Sequence, residues 1–488
     1  MTQSRRLMGR SSWEFQGMGF ADGGASALFA ALDLIRVELL LFAGFWFVIG
    51  AIDELALDAA WLVLRLTGKA QTPRLFEPLS PQLAAPIALF VPTWREARVI
   101  GPMVRHTLAA WPHAQLRVYV GVYRNDPETA RAVRLAAAGD TRVRLVVNGR
   151  NGPTTKGDCL NAIFRAMRRD EEAERFRFRA VILQDAEDMV HPQGLSLIDR
   201  GLDTADFVQL PVRPEPQARS TWIAGHYTDE FTEAHAREMV VRDRLQAGIP
   251  AAGVGCAFDR NALDRLVLAR DGQAGGEPFT PDAMTEDYEL GMTIGRANRN
   301  GPGRGGRFLR VRAADGSLIA TRSPFPHRLD AAVRQKARWL QGIAFDGWDR
   351  LGWSMHPAEL WMRMRDRRGP LVAVVLAVAY MVLLLSLVLA VAQWAGWHQQ
   401  APLPPVIVWM LVITTIAFVW RALVRFAMVS HEYGVLEGVT AVLRIPLANI
   451  IAIIAARRAL FRYIGTLFGK PAQWEKTEHD YHPSEVKP

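Results

Sequence analysis

Cysteine is almost absent: Cys159 and Cys256 are the only two in 488 residues. They offer no CxxC pair and no Cys/His cluster with metal-ligand spacing, which excludes a zinc-type site. A structural disulfide is disfavoured if the part that carries them faces the cytosol. Internal repeats and low-complexity tracts are missing too, so repeat arrays are excluded. No nucleic-acid recognition motif occurs. The net charge of +9 therefore reads as Arg-rich cytosolic loops or a phosphate-bearing substrate, with no nucleic-acid partner. No small-residue cleavage site follows the first apolar run, which excludes a standard cleaved signal peptide.

Charge is also missing from long stretches. Leu371 to Ala392 is uncharged, with only Tyr380 and Ser386 as polar breaks, and at about 1.5 Å per residue it crosses a hydrocarbon core of roughly 30 Å. Pro402 to Trp420 is a second such run. The loop between them, Gln393 to Gln400, has no Lys or Arg. The outer flanks carry Arg363, Arg365, Arg367 and Arg368 on one side and Arg421 and Arg425 on the other. The positive-inside rule makes this a hairpin with both ends cytosolic. Gly434 to Ala456 is interrupted by Glu437, Arg444 and Pro446, so an interfacial or re-entrant helix is expected there rather than a third crossing. Near the start, Leu39 to Ile52 and Leu55 to Leu66 flank Asp53 and Glu54. One tilted crossing is expected, with two short ones as the alternative. The predicted division is an N-terminal membrane segment over 1–75, a cytosolic catalytic part over 76–350, and a transmembrane hairpin, interfacial helix and tail over 351–488. Membrane lipid is thus a partner.

The middle of the chain reads as α/β. Strands are predicted at Pro86–Pro92, Leu116–Val122, Val143–Val147 and Ala180–Gln184, with helices at Val99–Ala110 and Asp158–Arg169. Strands alternating with helices imply a mostly parallel sheet covered on both faces. Ligands of such sheets sit off the carboxyl ends of the strands. Three acidic residues follow strands there: Glu96 after the first, Asp126 after the second and Asp185 after the fourth.

Several strings carry chemistry. Asp185-Ala186-Glu187-Asp188 offers clustered carboxylates for a divalent cation bridging to a diphosphate. Thr285-Glu286-Asp287 opens a helix, with Thr285 as the expected N-cap. Asp287, with Glu286 beside it, is the candidate base that takes a proton from an acceptor hydroxyl. Gln335, Arg338 and Trp339 lie on an amphipathic helix. Arg338 can neutralise a leaving diphosphate, Trp339 offers a flat face to a sugar ring, and Gln335 reaches the same site from one turn earlier. Lys156 opens a helix and can pair with donor phosphates. Gly255, in the turn Gly253-Val254-Gly255, would let an acceptor approach the backbone.

In this order the strings resemble the family 2 glycosyltransferases that include cellulose and hyaluronan synthases, and more closely the phage-adsorption-protein-B type of inner-membrane glycosyltransferase. The resemblance rests on Tyr123-Arg124-Asn125-Asp126-Pro127, Asp185 to Asp188, Ala252 to Gly255, Thr285 to Tyr288, Ala332 to Trp339 and Trp474-Glu475-Lys476-Thr477-Glu478-His479. It implies a GT-A-like fold, inverting transfer, and Mg²⁺ or Mn²⁺ as cofactor. It assigns Asp126 to the nucleotide base, Asp185 to the donor ribose or diphosphate, Glu187 or Asp188 to the metal, and Asp287 to the base role. It also implies a nucleotide-sugar donor (a UDP-sugar by family habit), a glycan or lipid-linked acceptor, an outer-membrane export partner and a growing exopolysaccharide. The place is the bacterial inner membrane, multi-pass, with the catalytic domain cytosolic. A cyclic di-GMP domain, which some relatives carry, is not expected. Two other readings stand beside processive synthesis: transfer of a single sugar to a lipid carrier, and a non-catalytic scaffold or receptor. The clustered carboxylates argue against the last.

Overall fold

The computed structural model describes residues 18–270, 276–295, 303–469 and 482. The Trp474–His479 string lies outside them. In chain order, α1 (Met18–Leu66) precedes β1 (Ile87–Pro92), α2 (Ile100–Ala110), β2 (Leu116–Val122), α3 (Pro127–Ala137), β3 (Val143–Val147), α4 (Lys156–Glu174) and β4 (Ala180–Leu183). Next come α5 (Gly194–Gly201), β5 (Phe207–Gln209), β6 (Val212–Pro214), α6 (Gly225–Glu233), α7 (Met239–Arg244), β7 (Cys256–Asp259), α8 (Arg260–Arg270) and α9 (Glu286–Gly295). Then follow β8 (Gly306–Phe308), β9 (Thr321–Ser323), α10 (Leu329–Leu340), α11 (Gly347–Leu351), α12 (Pro357–Arg367), α13 (Gly369–Trp394), α14 (Pro405–Tyr433), α15 (Val435–Leu443) and α16 (Ile445–Leu467).

Seven strands form one sheet in the order β3-β2-β1-β4-β7-β5-β8. β1 pairs in parallel with β2 and β4, β2 with β3, and β5 with β8, while β7 runs antiparallel to both its neighbours. The sheet is mostly parallel, as the sequence pattern predicts, and GT-A-like. Near-continuous apolar runs form its central strands because both faces are covered. In β1, Ile87, Leu89 and Val91 enter one core with Val118, Val120 and Ile182. Ala88 and Phe90 enter the opposite core with Tyr119, Val181, Leu183 and Phe258. A small second sheet pairs β6 with β9 in parallel.

The compact units are not serial. One comprises the chain up to Glu54 together with Val372–Arg421, and the other Leu55–Leu371 together with the chain from Ala422 onward. Within the second of these units, α16 lies against α10 through a seam of buried Ala337, Ala455 and Ala459.

Among the described residues, three helices are long and apolar enough to cross a bilayer: Ala27–Leu66 within α1, then α13 and α14. The first is continuous through Asp53 and Glu54, so a pair of short crossings does not form. Asp33 and Arg36, buried on α1, pair at 2.6 Å, and Asp33 also accepts the Ala401 amide at 3.2 Å. Charge in an apolar helix needs such partners. The stretch after Tyr433 is a broken pair, α15 and α16 meeting at 51° around Arg444. Its length admits one broken crossing or a re-entrant arrangement.

Candidate functional site

The exits of β1 and β4 open into a cleft of about 160 Å³. Two turns and three helix ends build its wall. At the exit of β1 the chain passes through Thr93, whose hydroxyl donates to the Gly121 carbonyl at 2.7 Å. Trp94 follows and meets the Tyr123 ring edge-on, 5.2 Å between centroids. Glu96 also faces the cleft.

α4 opens at Lys156, because Thr155 and Asp158 form a capping box around its first turn. This places Lys156 at the helix N-terminus, with its ammonium 2.7 Å from Asp185 Oδ1. The next two turns hold the segment that leads to Asp287. Gly157 has no β-carbon, and one there would stand 2.7 Å from the Thr280 carbonyl. Asn161 grips the Phe279 backbone twice, donating to its carbonyl at 2.7 Å and accepting its amide at 3.1 Å. Residues far apart in sequence are thereby brought face to face.

The acidic turn after β4 is fixed by its own last residue. The Asp188 carboxylate accepts the Asp185 amide at 2.8 Å and the Ser323 hydroxyl. Met189 and Arg322 exchange backbone hydrogen bonds at 2.8 and 2.9 Å. Asp188 is buried at 1% exposure and accepts a hydrogen bond on each oxygen, so it braces the turn. Asp185 and Glu187 keep their side chains toward the cleft. Burial and the carboxylates of Asp185, Asp188 and Glu96 push Glu187 well above the usual range. Burial and Asp185 push Asp188 up to about 8. Among the described residues no three His, Cys, Asp or Glu make a complete cation cage. A hard cation held by one or two carboxylates and completed by substrate phosphates needs none.

Asp287 sits in the first turn of α9. One oxygen accepts the Tyr288 amide at 2.7 Å, and the other lies against Gly253. A β-carbon at Gly253 would collide with Asp287 Oδ2, and the φ of +76° disfavours a side chain there as well. The Gly253→Ala exchange is expected to displace the Asp287 carboxylate and lower kcat at least 10-fold, in line with the general cost of misplacing a reacting group. Steady-state kinetics checks this; a Gly253→Ala enzyme with unchanged kcat would exclude that positional role.

The electrostatics of this corner are set by one cation among acids. Burial alone would lower the Lys156 ammonium, but Asp185, Glu286 and Asp287 outweigh it and hold the group protonated. Burial and the neighbouring Asp287 push Glu286 up to about 8. Burial raises Asp287 too, against the pull of Lys156. α10 closes the opposite side with Gln335, Arg338 and Trp339. Gln335 Oε1 is buried without a hydrogen-bond partner among the described residues. Trp339 packs edge-on against Tyr227 and Phe325, at 6.1 and 6.2 Å.

Of the residues named from sequence, Glu96, Lys156, Asp185, Glu187, Asp188, Glu286, Asp287, Gln335, Arg338 and Trp339 all line the cleft. Asp126 and Gly255 do not. Asp126 caps α3, accepting the Thr129 amide at 3.5 Å and the Arg95 amide at 2.6 Å. Its place after β2, just before Pro127, is that of a helix start. Gly255 donates its amide to Gln184 at 3.2 Å, and a β-carbon there would stand 2.5 Å from Thr321 Oγ1, so packing demands the glycine. Thr285 is not a side-chain cap either: its hydroxyl has no hydrogen-bond partner among the described residues and packs on Gly342. Trp94, Thr154 and Phe325 also line the cleft and carried no signal in the sequence reading, which named Tyr123 and Gly253 without giving either a role. Gly253 had a legible signal as the first glycine of its turn.

Residues 84–342 match the family described as glycosyltransferase like family 2, just over half of the chain. This chain is a family 2 glycosyltransferase. The glycosyltransferase is 31% identical over 455 residues to bacteriophage adsorption protein B of Escherichia coli (strain K12), covering 89% of this chain and 60% of that protein. The bacteriophage N4 adsorption protein B of Escherichia coli O157:H7 matches with the same figures. The glycosyltransferase thus spans 60% of the length of these relatives. Among solved structures it is similar to the mannosyltransferase PcManGT from Pyrobaculum calidifontis in complex with GDP-Man and Mn²⁺. There the TM-score is 0.48 at 17% identity, over 89% of this chain and 99% of that one. It is also similar to glucosyl-3-phosphoglycerate synthase from Mycobacterium tuberculosis with Mn²⁺, UDP and phosphoglyceric acid. That TM-score is 0.35 at 14% identity, over 59% and 88% of the two chains.

Proposed function

We propose that this glycosyltransferase works at the bacterial inner membrane as a multi-pass protein. In this reading it transfers sugar with inversion from a nucleotide-sugar donor, a UDP-sugar first, to the hydroxyl of a growing exopolysaccharide. One observation carries the reading. A single cleft gathers an acid-rich turn, a lysine paired to that turn, and a carboxylate with one oxygen spent on a backbone amide and the other facing inward. Asp287 takes the proton from the acceptor hydroxyl as that oxygen attacks the anomeric carbon. Lys156 and Arg338 bind the phosphates and offset the charge that gathers on the leaving diphosphate. Trp339, set in its aromatic surround, lies under the acceptor sugar, and Gln335 offers its unpartnered oxygen to a sugar hydroxyl. Asp185 and Glu187 would hold Mg²⁺ or Mn²⁺, which when bound supplies positive charge to the diphosphate oxygens. The fit is supported by the donor set itself: burial and the neighbouring carboxylates raise Glu187, and a hard cation would relieve that crowding. Processive elongation is favoured by the apolar helices α13 and α14 that follow the cleft helices, and an outer-membrane export partner would receive the product.

The test is sugar transfer by the detergent-solubilised full chain with labelled UDP- and GDP-sugars, with the product sized by gel. Long labelled polymer is expected in Mn²⁺ or Mg²⁺, with the rate falling to background in EDTA and restored by excess cation. A labelled single-sugar lipid would replace elongation by lipid-carrier transfer. Full activity in EDTA would remove the cation from the reading.

A further inference from the structure

We propose that His482 is a positioning residue for the donor side of the cleft, holding the Asp185–Asp188 turn from the C-terminal stretch of the chain. The residue lies 294 positions beyond Asp188, yet its side chain is fully buried against that turn. Its Nε2 stands 3.3 Å from the Asp188 main-chain oxygen. A carbonyl can only accept, so this nitrogen carries the proton and donates. A second imidazole flanks it. His106, on α2, has its ring centroid 6.5 Å away and its Nε2 3.0 Å from the Val190 main-chain oxygen.

These contacts form a pattern. Residues 188, 189 and 190 each have their carbonyl held by a group from elsewhere in the chain: His482 at Asp188, the Arg322 amide at Met189 and His106 at Val190. The Asp188 side chain adds the Ser323 hydroxyl and the Asp185 amide. The side chains that face the cleft, Asp185 and Glu187, are carried by this turn and take their direction from its backbone. Of these attachments, His482 alone comes from beyond α16. Buried polar groups that orient ligating carboxylates act through such supporting hydrogen bonds. The inference rests on the reading of Asp185 and Glu187 as the donor and cation side of the cleft.

The test compares His482→Leu and His482→Gln in the full chain. Both fill the buried volume, but only Gln places an amide nitrogen where Nε2 was. Three readouts are taken: hydrogen exchange of the peptide spanning Asp185–Met189, Mn²⁺ affinity by electron paramagnetic resonance, and donor KM against kcat. The Leu variant is expected to exchange faster in that peptide and to bind Mn²⁺ about 10-fold more weakly, the low end of such losses. Its donor KM is expected to rise while kcat holds, and the Gln variant should return all three toward wild type. A Leu variant identical to wild type in exchange and Mn²⁺ affinity overturns the inference. So does a folded Gln variant that fails to restore them, and this arm stands even if the Leu variant does not fold. If wild type binds no Mn²⁺ while the Leu variant still loosens the turn, positioning holds and the reading of the turn as a cation site falls.

Discussion

Asp287→Asn should leave a folded, membrane-inserted protein whose kcat is lower by about 10²- to 10⁴-fold, the usual contribution of a positioned acid or base. The substitution keeps the shape and the oxygen that accepts the Tyr288 amide, so α9 should start as before. The amide cannot take a proton. Donor KM should change little, because Lys156, whose partner is Asp185, is untouched. The pH profile supplies an independent arm. Burial and nearby Asp185 raise the Asp287 carboxyl above its ordinary range, with Lys156 opposing. A base must be deprotonated, so wild-type kcat should fall as pH drops through this raised value, earlier than for a solvated carboxylate. Transfer by the Asn variant at the wild-type rate would remove Asp287 from the base role. Loss of transfer with normal expression would dispose of a scaffold reading.

The largest expected effect on stability lies away from the cleft, at Arg444→Ala. Arg444 is fully buried at the break between α15 and α16, and Asp229 on α6 is equally buried. The guanidinium grips both carboxylate oxygens, at 2.9 and 2.6 Å, and also donates to the Thr221 carbonyl at 2.7 Å. Gly225 makes room for it, since a β-carbon there would collide with the guanidinium. Burial already raises the Asp229 carboxyl against the pull of Arg444. Removing one partner strands the other, which costs about 3–5 kcal/mol. A melting temperature lower by on the order of 10 °C should follow, read by thermal unfolding in detergent. The double variant Arg444→Met with Asp229→Leu should recover most of that loss, because an apolar pair of similar volume needs no counter-charge. A single variant that melts with the wild type would show that the pair holds nothing.

How much of this was legible in the sequence follows from range. β2 and β3 fall on the predicted bounds: β3 is closed by Arg142 and Asn148, and β2 opens after Gln115 and stops short of Tyr123-Arg124. Whether an acid after a strand faces a ligand or caps a helix is harder. Asp185 and Asp126 have the same kind of position, and the Pro127 that follows Asp126 was the local clue. The two glycines of one turn look alike in sequence. Only the approach of Asp287 to Gly253, and of Thr321 to Gly255, assigns them different tasks. The Lys156–Asp185 pair, the Asn161 grip on Phe279 and the burial of His482 join distant segments, and no periodicity encodes such contacts.

The alanine seam between α10 and α16 sets a limit on how this protein can diverge. Ala337, Ala455 and Ala459 let the two backbones approach closely, two positions before the Trp339 that borders the cleft. Residues facing the cleft can change with the sugar they meet, each exchange answered locally. A larger side chain anywhere in the seam has no such local answer. It would push α10 bodily, moving Gln335 and Arg338 together and altering every contact they make. A change in specificity is therefore open to the cleft lining, while the spacing behind it has to stay as it is.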